Sequence, residues 1–202
     1  NGGNFLTFVG PLGDINNDGI DDFFSETNAI FGRTTPFPSH FSQSSLNGTE
    51  GFILPGTLTS AGIGDINLDG IDDFISVYGN NGKAYIVFGT ANGFPNPMNE
   101  STLNGTNGFK IIINTLEYLH EYSGYGDFNA DGMDDIAVVY QNHVYIVFGR
   151  NTWNPSINLN TITAADALKI KLPYRTKYSV SYFNDVNKDG IDDILIGSSD
   201  TK

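Results

Sequence analysis

"GDINNDGIDDF", Gly13 to Phe23, places four aspartates, Asp14, Asp18, Asp21 and Asp22, within nine residues. Nearly the same string returns as "GDINLDGIDDF" at Gly64 to Phe74, as "GDFNADGMDDI" at Gly126 to Ile136, and as "NDVNKDGIDDI" at Asn184 to Ile194. Like charges this close repel, so something must hold each cluster together. The four strings contain 16 of the chain's 23 acidic residues, and outside them seven acids face nine Lys and Arg, the tenth, Lys188, lying in the fourth string. The formal net charge of −13 is therefore concentrated in the strings rather than spread over the surface. Spread over the surface, such a charge would repel nucleic acid and anionic membranes, but outside the strings the chain is slightly basic; no nucleic-acid partner is expected.

With 202 residues, 39% of them hydrophobic and 13% aromatic, the chain has the material for a substantial core. It has no cysteine, which excludes disulfides, zinc–thiolate sites and thiol catalysis. Apolar runs such as "AYIVFG" (Ala84 to Gly89) have the length of strands, so direct membrane insertion is not expected. The start, "NGGNF", has neither an initiator Met nor a signal-peptide pattern, and the expectation is a processed protein or a piece of a larger one.

The repeat is larger than the aspartate string. Asp14, Asp65, Asp127 and Asp185 are separated by 51, 62 and 58 residues, a spacing that suggests a propeller or an array. A short apolar segment leads into each string, the first near Phe5 to Val9. A strand-like run follows it: "DFFSE", "DFISVY", "DIAVVY" and "DILIGS". After a tight turn, "GNNG" (Gly79 to Gly82) or "QN" (Gln141 to Asn142), comes a β-rich run ending in Phe-Gly: "NAIFG", "KAYIVFG" and "HVYIVFG". A polar loop then leads to "GFILPG", "GFKIII" or "LKIKL". About four short strands per unit, without helical periodicity, describe a propeller blade. The fold expected is all-β: a single propeller segment over 1–202, with blades of four antiparallel strands in repeats near 5–58, 59–116, 117–176 and 177–202. The last is truncated, so about three and a half blades are present, and further copies or neighbouring chains are expected to complete the propeller.

The aspartate string suits a hard cation. Ca²⁺ takes six to eight oxygens, and alternating side chains in a tight loop can converge on it. In the first copy the expected ligands are Asp14, Asn16 and Asp18 at positions one, three and five, the carbonyl of Ile20 at seven and Asp22 at nine, with Gly19 allowing the sharp turn. The same roles fall to Asp65, Asn67, Asp69, Ile71 and Asp73; to Asp127, Asn129, Asp131, Met133 and Asp135; and to Asp185, Asn187, Asp189, Ile191 and Asp193. Four Ca²⁺ sites are expected. Position eight, Asp21, Asp72, Asp134 and Asp192, is assigned a supporting or solvent role. An EF-hand also begins Asp-x-Asn-x-Asp-Gly, but it needs a Glu at position twelve and flanking helices. Here position twelve is Ser25, Ser76, Val138 or Ile196, and the flanks read as strands. Asx-rich β-turns are the simpler alternative, and four copies with every ligand position filled weigh against them.

Blades that carry Asp-x-Asn-x-Asp-Gly-x-Asp-Asp between their first two strands and end in Phe-Gly resemble FG-GAP repeats, the units of the integrin α-subunit β-propeller and of many bacterial surface proteins. The resemblance spans practically the whole chain. "SETNAIFG", "SVYGNNGKAY" and "VVYQNHVY" stand where the family has Gly-Ala-Pro, which makes this a divergent relative. The resemblance implies Ca²⁺ loops on one rim of the disc and partner binding, to protein or glycan, through loops on the opposite face.

Other features are weaker. Phe37-Pro38, Phe94-Pro95 and Trp153-Asn154-Pro155 recur after the Phe-Gly, either as an exposed binding rim or as a turn packed on its own blade. Tyr118, Tyr122 and Tyr125 could line a binding face or pack between blades. His40, His120 and His143 lack zinc-ligand spacing, and the basic stretch Lys169 to Lys177 alternates like a solvated strand face. Asn47, Asn99 and Asn104 head sequons that would accept glycans on a eukaryotic secretory route, and a plain turn explains the two in "LNGT", Asn47 and Asn104, equally well. No nucleophile elbow, phosphate loop or separate carboxylate pair supports catalysis, and Glu117 and Glu121 read as surface acids. The functional expectation is a non-catalytic, Ca²⁺-stabilised extracellular module, secreted or at the cell surface, for adhesion or recognition. The alternative is a structural building block that joins a larger surface assembly through open blade edges.

Overall fold

The computed structural model describes residues 9–39, 42–78, 83–113, 119, 121–173 and 177–199. The turn at Gly79 to Gly82, most of the apolar lead at Phe5 to Val9, and Glu117, Tyr118, His40 and His120 lie outside the described residues.

The chain is all-β, built as consecutive antiparallel sheets. β1 (Val9–Gly13), β2 (Asp22–Ser25), β3 (Asn28–Ile30) and β4 (Gly51–Ile53) form the first, in sequence order. β5 (Thr57–Gly64), β6 (Asp73–Tyr78), β7 (Lys83–Val87) and β8 (Gly108–Ile112) form the second in the same way. In the third, β9 (Glu121–Gly126), β10 (Asp135–Tyr140) and β11 (His143–Val147) are followed by β12 (Ser156–Asn158), which leaves to pair with β8, and by β13 (Ala167–Lys171), which pairs with β11. β14 (Lys177–Phe183) and β15 (Asp193–Ser199) make a two-stranded fourth sheet. Among the described residues no sheet closes on itself. The other regular elements are two single 3₁₀ turns, Gln43–Ser45 and Glu100–Thr102, capped by the Ser42 and Asn99 side chains.

The second strands of the second and third sheets, β6 and β10, are buried on both faces, so they read as continuous apolar runs rather than alternating ones. In β10, Ile136, Val138 and Tyr140 face the core shared with the second sheet, while Ala137 and Val139 face the core shared with the fourth. β6 divides in the same way, with Phe74 toward the first sheet and Ile75 and Val77 toward the third. The core is thus a series of seams between neighbouring sheets. β15 has a neighbour on one face only: Ile194 and Ile196 pack into the last seam, and Leu195 is exposed.

β12 departs from the expected four-strand antiparallel unit. It runs parallel to β8, with Ser156 opposite Lys110 and Asn158 opposite Ile112, and makes the second sheet five-stranded. The equivalent loop of the second repeat does the same job without forming a strand, because Ile53 of β4 accepts from Met98 N–H and donates to Asn96 Oδ1. These loops carry the aromatic-proline feature, which is neither a free rim nor a turn on its own blade. Phe94 stacks on Phe52 of the preceding sheet at 4.5 Å, and Trp153 stacks on Phe109 of the preceding sheet at 4.1 Å and 10°. Phe37, in the first repeat, is instead partly exposed, edge-on to Phe23 and beneath Arg33. Tyr122 likewise spans a seam, its hydroxyl bonded to Thr59 Oγ1 at 2.9 Å.

Trp153→Ala is expected to cost about 3 kcal/mol through the cavity it leaves between the second and third sheets. Phe37→Ala should cost far less. Urea denaturation of the two variants measures the difference.

Candidate metal loops

Each aspartate string forms a compact loop between the first and second strands of its sheet, with the same internal bonds in all four copies. In the first, Asp14 Oδ1 accepts from Asp18 N–H at 3.0 Å and Oδ2 from Gly19 N–H at 2.8 Å. Asn16 Oδ1 also accepts from Asp18 N–H, while Asp18 Oδ1 accepts from Ile20 N–H and its Oδ2 from the Asn16 amide. Asp65, Asn67 and Asp69 repeat this pattern, as do Asp127, Asn129 and Asp131, and Asp185, Asn187 and Asp189. Position four is left-handed in every copy, at Asn17, Leu68, Ala130 and Lys188, as is the glycine two residues later. The carbonyls of Ile20, Ile71, Met133 and Ile191 accept no hydrogen bond among the described residues.

The ninth position anchors the loop to the sheet. Asp22 begins β2, Asp73 begins β6 and Asp135 begins β10, and each is at most 1% exposed. One oxygen of each accepts the N–H of position two, Ile15, Ile66 or Phe128. The other accepts from the glycine of the Phe-Gly pair, Gly32 at 2.7 Å, Gly89 at 2.8 Å or Gly149 at 2.8 Å. That bond explains why the string and the Phe-Gly travel together. A Cβ on any of these glycines would strike the backbone oxygen of position eight, Asp21, Asp72 or Asp134. Sequence reasoning placed no functional role on these glycines, although their recurrence beside every complete string was the available signal. Among the described residues Asp193 makes only the first of the two bonds, to Val186 N–H at 2.8 Å, and its loop is more exposed than the other three.

Position eight turns away from its own loop. Asp72 reaches Asp14 N–H, Asp134 reaches Asp65 N–H and Asp192 reaches Asp127 N–H, each in the preceding repeat.

Electrostatically the loops are unbalanced. The ion pairs among the described residues, Arg33 with Glu50 and Arg150 with Asp166, both lie outside the strings. Burial pushes the Asp22 and Asp135 carboxyls up to about 7 and Asp73 up to about 8. Their two N–H bonds oppose this rise, and the charges of positions one and five add to it. Among the described residues no three acidic or histidine side chains are drawn together into a finished metal cage. The donor set nevertheless fits a hard cation: three carboxylates, an amide oxygen and a carbonyl per loop, with no ion pair to Lys or Arg among the described residues. A carboxylate oxygen that accepts one N–H keeps a further lone pair for a metal.

The remaining sequence features resolve as ordinary surface. Lys169 and Lys171 project from β13, the former over the Tyr145 ring, and lower the pKa of His143 together with its burial, which is the larger effect. Asn47 and Asn104 are exposed, and each accepts from the N–H and hydroxyl of the Thr two residues on; Asn99 caps its 3₁₀ turn.

Protonation of the buried aspartates gives a signed prediction. Between the ordinary value of 3.8 and about 7 to 8 the folded, metal-free chain holds protons that the unfolded chain has released. Stability in chelator should therefore fall as pH rises across that window. Saturating Ca²⁺ should flatten the slope, since the ion displaces those protons and leaves the folded chain holding no more of them than the unfolded one. Tm measured from about pH 4.5 to 8.5 in both conditions tests the pair of slopes.

No protein-family model matches the chain and no curated protein matches it, so its own residues carry the functional reading.

Proposed function

We propose that the chain is a Ca²⁺-stabilised, non-catalytic module of FG-GAP type, a run of β-propeller blades akin to those of integrin α-subunits, used outside the cell for adhesion or recognition of protein or glycan. One observation carries the reading: four loops of identical internal bonding concentrate aspartates around an anchored ninth-position carboxylate and pair with no Lys or Arg among the described residues. Bound Ca²⁺ would supply the missing positive charge. Asp14, Asn16, Asp18, the Ile20 carbonyl and Asp22 would hold it in the first loop, with the corresponding residues in the others.

The antiparallel sheets with shared seams, each read as one blade, support the propeller assignment. Millimolar extracellular Ca²⁺ suits modules of moderate affinity, whereas resting cytosol would leave such sites empty. Each site contributes about 2.7 kcal/mol when free Ca²⁺ is 100 times its dissociation constant.

A second reading, a building block joined through open blade surfaces, draws on the fourth sheet. There Phe183, Val186 and Leu195 are each more than half exposed, and the apolar face they form suits another blade. Sedimentation mass against concentration separates the two readings. A constant monomer mass would leave the building-block reading without support.

Removing Ca²⁺ with a chelator should lower Tm by at least about 8 °C, the equivalent of one site's contribution, and adding it back should restore the value. A Tm indifferent to chelator at neutral pH would sink the calcium reading.

A further inference from the structure

The bond from position eight crosses between repeats. Asp72 Oδ2 accepts the N–H of Asp14 at 3.0 Å, Asp134 Oδ2 that of Asp65 at 2.9 Å, and Asp192 Oδ2 that of Asp127 at 3.0 Å. Each acceptor belongs to the repeat after the loop it holds. The same neighbour adds backbone bonds: Thr90 N–H to the Ile15 carbonyl at 2.8 Å, and Arg150 N–H to the Ile66 carbonyl at 2.9 Å. Both first-position and second-position backbone are therefore fixed from outside the loop.

The approach is close enough to constrain the sequence. A Cβ on Gly13 would collide with the Asp72 carboxylate, and one on Gly64 with that of Asp134.

We propose that Asp72 and Asp134 are positioning residues for the metal loop of the preceding repeat rather than for their own. This inference rests on the calcium reading above. The carboxylate of position one is already shared between two loop N–H groups, so its placement follows its backbone, and the backbone is held by the next repeat's aspartate. Outer partners of this kind typically change metal affinity about 10-fold or more when removed. Ion binding in one repeat is thereby coupled to docking of the next.

The test is a Ca²⁺ titration of the full chain by calorimetry and native mass spectrometry. Asp72→Ala is compared in two backgrounds, Asp18→Ala, which silences the first loop, and Asp69→Ala, which silences the second. Asp72→Ala should weaken one site about 10-fold in the wild-type and Asp69→Ala backgrounds and leave the remaining sites of the Asp18→Ala background unchanged. The reverse pattern, or no weakening in any background, overturns the inference. Asp72→Asn keeps an acceptor oxygen and should recover most of the affinity; an Asn variant as weak as the Ala variant also overturns it. If Asp72→Ala fails to fold by circular dichroism, Asp134→Ala carries the same test, with its deficit expected to vanish in the Asp69→Ala background. A wild-type chain that takes up no Ca²⁺ sinks the calcium reading and this inference with it, whereas four bound ions with Asp72 acting on its own loop sink the inference alone.

Discussion

The structure depends on a buried carboxylate that faces two ways. Asp22, Asp73 and Asp135 each accept one N–H from the loop before the strand they begin and one from the Phe-Gly at the end of the next strand. Removing such a group would leave two buried N–H donors unmet, and burying it carries the cost of a charge away from water. The loop, the first hairpin and the end of the third strand are consequently one mechanical unit. A cation at the loop would offset the burial cost where it is greatest.

Repeats communicate through nearest neighbours. The two-faced strands divide their side chains between adjacent seams, Phe94 and Trp153 each stack on the sheet before their own, and position eight reaches back to the previous string. Stability in such an array is close to a sum of unit and interface terms. No single sheet has a complete core of its own, as the exposed Leu195 on the two-stranded sheet illustrates.

Local signals in the sequence located most of this architecture. "DFISVY" and "DIAVVY" coincide with β6 and β10, "KAYIVFG" and "HVYIVFG" contain β7 and β11, and "LKIKL" overlaps β13, because each is an apolar β-rich run bounded by turn residues. The loop conformation was also legible, since Asn, Asp and Gly at fixed offsets dictate it. What lay beyond reach has partners far along the chain. "SIN" at Ser156 to Asn158 has no strand pattern of its own and becomes β12 only because β8 offers an edge. Position eight read as peripheral because its acceptor role lies 58 to 69 residues away. Phe94 and Trp153 read from sequence as either an exposed rim or a turn on their own blades, whereas their stacking surfaces belong to the preceding ones.

β12 also bears on solubility. A chain this rich in strands risks pairing with any free strand that meets an open sheet margin. The margin of β8 is occupied by β12, that of β4 is tied by Asn96 and Met98, and β13 carries Lys169 and Lys171 along its exposed side. The outward borders of the first three sheets are thus protected by an added strand, a side-chain tether and like charge. The loops that stitch repeat to repeat also keep foreign strands off the molecule's flank.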